Sequence, residues 1–177
     1  GAWMTSYRGQ KKGQRPHISM VCNFSKPTVS TPSLLTFQEV TTLFHEFGHA
    51  LHGILANTTY GGLSGTNVYW DFVELPSQLY EHWLEVPEVL SEFATHADTG
   101  ETMPKDMLDK VLAAATYDMG FQTVEYVASA LVDLELHNAA PPADLMTAQG
   151  EILADLGMPR AIGMRHASPH FAHVFAG

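Results

Sequence analysis

Between Thr36 and Asn57 the sequence specifies a helix at both of its ends and along its length, and the rest of the chain must fold around it. Thr36-Phe37-Gln38-Glu39 has the form of a capping box, in which the Thr36 side chain takes the backbone N–H of Glu39 and the Glu39 carboxylate reaches back to Thr36. Val40, Leu43, Phe44, Phe47, Leu51, Ile54 and Leu55 then recur at helical spacing. Gly61-Gly62-Leu63-Ser64-Gly65 follows and imposes a flexible loop.

Inside that helix lies His45-Glu46-Phe47-Gly48-His49, the pattern H-E-x-x-H. Residues four apart share a helix face, so both imidazoles can converge on one ion while Glu46, one step round, reaches a water bound to it. From 10 His and 19 acidic residues in 177 positions, about 0.06 such motifs are expected by chance. Catalytic zinc takes three protein ligands and keeps a position for water, so a third ligand is needed. Glu74, in Asp71-Phe72-Val73-Glu74-Leu75-Pro76-Ser77-Gln78, is a carboxylate in an otherwise apolar stretch, where leaving it unpaired is costly. Asp71, Glu81 and Glu85 compete with it on position alone. His52 extends the motif to H-E-F-G-H-A-L-H and reads as structural, because a lone helical histidine usually finds a hydrogen-bond partner without metal. A ligand imidazole also needs a partner on its other nitrogen. Asp71, one turn before Glu74, is the first choice for that position behind the ligands, and Glu39 the second.

Charge agrees with a cation site. The 9 Lys and Arg against 19 Asp and Glu give a net charge of −10, which repels phosphate backbones and argues against a nucleic-acid partner. No basic residue occurs between Pro27 and Pro104, where ten carboxylates sit. No run of about 18 apolar residues could span a bilayer, so no membrane role is expected. Cys22 is alone, which excludes an intrachain disulfide and suits a reducing, cytoplasmic location.

At 177 residues the chain is sized for a single domain with one core. Residues 1–35 read as an extended lead-in with a strand over His17–Phe24, and residues 36–177 as a helical zinc-binding core. After the first helix, a second is expected over Asp71–Glu85, with Pro76 tolerated near its first turn. Further helices are expected over Glu88–Asp98, over Lys105–Asn138 with a bend at Gly120, and over Ala143–Leu156 up to Gly157 and Pro159. The fold class is therefore mostly α, an α+β arrangement with minor strand.

Several stretches together carry a family resemblance: Gly1-Ala2-Trp3-Met4, Val21-Cys22-Asn23-Phe24, Leu43 through His52, Leu63-Ser64-Gly65-Thr66-Asn67, Asp71 through Gln78, and His170-Phe171-Ala172-His173-Val174-Phe175. In them the chain resembles the thimet oligopeptidase family of zinc peptidases, most of all its bacterial dipeptidyl carboxypeptidase branch. The resemblance implies a zincin-like metallopeptidase core holding one Zn2+ through His45, His49 and Glu74, with Glu46 as general base. It implies that His173 stands near the substrate carbonyl, and that Gly62, Ser64, Gly65 and Thr66 offer backbone groups along a short, unstructured peptide. Members of that family also have a long helical N-terminal region and a glycine- and tyrosine-rich stretch beyond the equivalent of Gly177. The expectation is accordingly a partial catalytic domain, prone to self-association, whose alternative role is to bind zinc and peptide with little turnover.

Overall fold

The computed structural model describes residues 1–171. It divides into two compact units, Gly1–Leu108 and a second from Asp109 onward, where the sequence leads one to expect a single core.

In the first unit, strand β1 (Trp3–Arg8) pairs antiparallel with β2 (His17–Val21), in a register that sets Trp3 opposite Val21 and Ser6 opposite Ile18. The lead-in thus holds a second strand that the Gly- and Lys-rich composition around it concealed. The strand expected over His17–Phe24 stops at Val21. Helix α1 spans Phe37–Ile54 behind the expected capping box: Thr36 N–H donates to Glu39 Oε2 at 2.8 Å, and Glu39 N–H to Thr36 Oγ1 at 3.2 Å. Strand β2 runs against the end of this helix, where a Cβ on Gly53 would meet the tip of the Ile18 side chain.

The helix expected over Asp71–Glu85 is broken. Helix α2 covers Trp70–Val73 and α3 covers Leu75–Glu81, followed by a 3-10 turn over His82–Glu85. Pro76, in the first turn of α3, has no N–H to continue an α2 ladder, so a new helix starts there and Glu74 becomes the joint. Helix α3 packs on α1 through Phe44 and Tyr80, stacked with centroids 5.2 Å apart, and through Phe47 against the same tyrosine at 5.8 Å. Helix α4 is Pro87–Phe93, shorter than expected, because the chain leaves it at Ala94 for a small hairpin in which Thr95 bridges Thr102 and Gly100 takes φ +72°. Leu84 and Leu90 are buried behind these helices.

The long helix expected over Lys105–Asn138 is two: α5 (Lys105–Ala115) and α6 (Met119–Asn138). The break falls at Asp118, whose φ of +58° is the left-handed conformation that Asp tolerates better than most residues, and not at Gly120. In the second unit α6 buries Ala128 and Val132. Helix α7 (Leu145–Asp155) is capped by Asp144, whose carboxylate accepts from Met146 N–H and Thr147 N–H, and it stops as expected at Gly157, φ +76°. The fold is mostly helical with a small two-stranded sheet.

Candidate metal centre

His45 and His49 project from the same face of α1, and their rings meet edge to face with centroids 4.9 Å apart. The Nε2 atom of each lies 3.1 Å from the same oxygen, Oε2 of Glu74. These three residues form a group whose ligand atoms all lie within 4.8 Å of one another. What brings the carboxylate from the α2–α3 joint to α1 is a close crossing at Gly48, between the two histidines. A Cβ built there would fall 2.6 Å from Ser77 Cα and 2.8 Å from Pro76 O, so only glycine lets α3 approach this far. Ser77 is fully buried at that crossing, and its hydroxyl lies 2.8 Å from Glu74 Oε2 and 2.9 Å from Glu74 O, holding the carboxylate towards the histidines.

The donor set fits a small divalent cation. His45 Nδ1 lies 2.6 Å from Glu81 Oε1, and a carboxylate oxygen accepts, so Nδ1 donates. In the neutral ring Nε2 then carries the lone pair and faces Glu74 Oε2, another acceptor, an arrangement that suits a cation between them. Two nitrogens and one oxygen at these separations are close to what roughly tetrahedral zinc requires with bonds of about 2.0–2.2 Å. The Glu74 side chain is 49% exposed while His49 is 11% exposed, so the group is walled by protein on the helix side and open on the other.

Glu46, one residue after the first histidine, is only 7% exposed, and no hydrogen bond reaches it among the described residues. It is near enough to Cys22 that, after burial itself, its charge is the second cause raising the thiol pKa.

The whole chain, residues 1–177, matches the profile of Peptidase family M3. The chain belongs to that family. Among its M3 relatives, the dipeptidyl carboxypeptidase of Salmonella typhimurium is 41% identical over 184 aligned residues, covering 100% of this chain and 27% of that protein. The oligopeptidase A of Escherichia coli is 40% identical, again over 100% of this chain and 27% of the relative. A thimet-like oligopeptidase of Dictyostelium discoideum is 40% identical over 76% of this chain. The chain spans 27% of the length of the first two.

Around this M3 motif the surrounding residues depart from expectation. The partner on His45 Nδ1 is Glu81, not Asp71 or Glu39. Asp71 is exposed on α2, and Glu39 is occupied by the capping box and by Ser25 N–H at 3.3 Å. Those contacts, led by the Thr36 N–H, hold the Glu39 carboxyl below the usual glutamate range. Glu85 lies 3.6 Å from His82. A signal for Glu81 existed, since it stands seven residues beyond Glu74, two turns along one face, but its helix phase depended on the break at Glu74. His52 does not find the expected hydrogen-bond partner. Its Nδ1 is buried and unpaired among the described residues, its ring packs edge-on against Phe72 at 6.1 Å, and burial followed by the neighbouring His49 pushes its pKa down.

In the glycine-rich loop, Gly62 is exposed, Thr66 half-buried, and Ser64 and Gly65 buried. Ser64 turns its hydroxyl inward, 3.1 Å from Gln10 Oε1, so its side chain serves the loop rather than a ligand. His173 lies outside the described residues. Among them no helix is long and apolar enough to cross a membrane.

Proposed function

We propose that this chain carries the catalytic centre of a zinc metallopeptidase that hydrolyses short peptides, of the peptidyl-dipeptidase or oligopeptidase type. The observation that carries the reading is the convergence of His45 Nε2 and His49 Nε2 on Glu74 Oε2 at 3.1 Å each, with Glu46 buried on the same helix. His45, His49 and Glu74 hold one Zn2+. Zinc bound there supplies Lewis acidity that brings the pKa of water towards about 7 and polarises a peptide carbonyl. Glu46 takes the proton of the attacking water and delivers it to the leaving amine nitrogen. Glu81 fixes the His45 ring, and Ser77 fixes the Glu74 carboxylate.

The glycine-rich loop lines the bound peptide. Gly65 packs on Gly53, where a Cβ would come within 3.2 Å of the helix backbone, and Gly53 stands four residues after His49. The loop therefore sits about 6 Å along the α1 axis from the second ligand. Gly62 and Thr66 offer backbone groups there, and His173 is assigned to the substrate carbonyl by the family pattern. A peptide ligand also suits the net charge of −10, which disfavours nucleic acid, and the lone Cys22 suits a cytoplasmic setting.

The test is metal analysis together with cleavage of a short peptide, with and without chelator, for the chain and for Glu46→Gln. One zinc per chain in both proteins, with hydrolysis only in the former, is the expected result. Glu46→Gln turning over at the rate of the parent removes the proposed base. A second reading is a unit that binds zinc and peptide with little turnover. Stoichiometric zinc and peptide binding without cleavage selects it.

A further inference from the structure

Gln10 lies in the turn between the two strands, far in sequence from the metal motif, yet it is only 5% exposed. Its side-chain amide is saturated by the segment that follows α1. Oε1 accepts from Thr58 N–H at 3.1 Å, lies 3.1 Å from Thr58 Oγ1, and accepts from Ser64 Oγ at 3.1 Å, while Nε2 donates to Thr58 O at 3.5 Å. One planar amide thus clamps both the entrance of the glycine-rich loop and its middle. The same turn reinforces the hold: a Cβ on Gly61 would meet Gln10 O at 3.1 Å, and the Arg15 guanidinium donates to Ala56 O at 3.3 Å and to Ile54 O at the end of α1. Between and just beyond these anchors the loop carries three glycines, Gly61, Gly62 and Gly65, whose freedom would otherwise make its position diffuse.

We infer that Gln10 is a positioning residue for peptide binding, which pre-orders loop 61–67 against the end of α1 so that its backbone groups meet the peptide at a fixed distance from His49. The inference rests on the proposed placement of that loop beside the peptide. A loop already ordered loses less conformational freedom on binding, so removing the clamp weakens peptide affinity while leaving the metal ligands, which Gln10 does not touch, as they were.

The experiment uses the zinc-loaded chain in a Glu46→Gln background, with a fluorescein-labelled acetyl-Ala-Ala-Phe-Ala-Ala peptide as probe. Hydrogen exchange over residues 58–66 and zinc retention are measured beside polarisation binding. Gln10→Ala is expected to speed exchange in that segment and to weaken peptide binding about tenfold, with zinc retention unchanged, because three acceptor contacts are lost. Gln10→Glu keeps the accepting oxygen but turns a second acceptor towards Thr58 O, and is expected to recover part of both. Ser64→Ala removes one contact from the loop side, tests the clamp without altering Gln10, and is expected to give a smaller change in the same direction. Unchanged exchange in Gln10→Ala, or weakened binding accompanied by loss of zinc, overturns the inference. Gly62→Val separates it from the reading beneath it. If that exposed substitution leaves peptide binding untouched, the loop is not beside the peptide and both fall; if it weakens binding while Gln10→Ala does not, only the role of Gln10 falls.

Discussion

Replacing Gly48 by alanine tests the contact that brings Glu74 to His45 and His49, the three proposed metal ligands. In an unobstructed helix the change would stabilise by about 1 kcal/mol through propensity. Here the added Cβ would stand 2.6 Å from Ser77 Cα and 2.8 Å from Pro76 O. Both are backbone atoms of α3, so no side chain can rotate away. Reaching an ordinary carbon contact of about 3.5 Å requires the two helices to part by about 1 Å. Overpacking of that kind costs about 1–3 kcal/mol, which outweighs the propensity gain and leaves a net loss of up to about 2 kcal/mol. The larger consequence is at the metal. Glu74 precedes Ser77 by three residues and is tied to it by hydrogen bonds. A shift of about 1 Å in α3 therefore carries the carboxylate away from both histidines, against a zinc–oxygen bond of only about 2.0–2.2 Å. Zinc affinity, measured by competition with a chromophoric chelator, should fall at least about tenfold, the scale seen when ligand support is lost. Gly150→Ala is the control. It sits in α7 with nothing within 4 Å of the added Cβ, so it should gain about 1 kcal/mol and leave zinc binding alone. A Gly48→Ala protein that binds zinc within twofold of the parent, and unfolds no earlier, would refute the claim that this crossing sets the ligand geometry.

Glu81→Ala should weaken zinc binding about 10–100-fold in the same competition assay, whereas Asp71→Ala should leave it nearly unchanged; the reverse order would restore Asp71 as the partner of the ligand histidine. Saturating zinc, at about 100 times its dissociation constant, should raise stability by about 2.7 kcal/mol in a thermal melt, and His45→Ala should abolish the shift. Glu39 is held below its ordinary pKa by the Thr36 N–H, so its contribution is present above the unfolded value of about 4.3 and lost as pH falls through the lower folded value. Amide protection factors at the start of α1, taken relative to intrinsic exchange at each pH, should therefore fall on acidification, and Glu39→Gln should remove that pH dependence. Phe72, Leu75, Leu79 and Trp83 are each at least 45% exposed and recur at helical spacing, so the chain should self-associate in sedimentation at high concentration, and Leu79→Lys should reduce it.

The family and its metal motif were legible because they rest on short-range rules. A capping box closes within four residues, and two histidines four apart share a face wherever the helix ends up, so α1 and the pair His45 and His49 followed from local chemistry. Gly157 ends α7 for the same reason. Less was legible where one residue had to choose between continuing and breaking a helix. Pro76 was consistent with a single helix over 71–85, and only packing against α1 fixed the joint at Glu74. Asp118 broke the long helix in a conformation that no sequence pattern announced.

The sequence by itself determined two histidines four apart on one helix face, the glutamate beside the first and the acidic surroundings, and its family resemblance pointed to Glu74 as the carboxylate that joins them. Tertiary structure decided which carboxylate stands behind His45. Glu81, Asp71 and Glu39 were all acidic residues within reach of the motif by sequence. The choice among them depended on the distance and phase at which α3 crosses α1, set by the missing side chain of Gly48 and the buried hydroxyl of Ser77. That crossing is a contact between segments some thirty residues apart. Its geometry comes from which surfaces can approach without overlap, a property of two folded helices together that neither stretch of sequence contains alone.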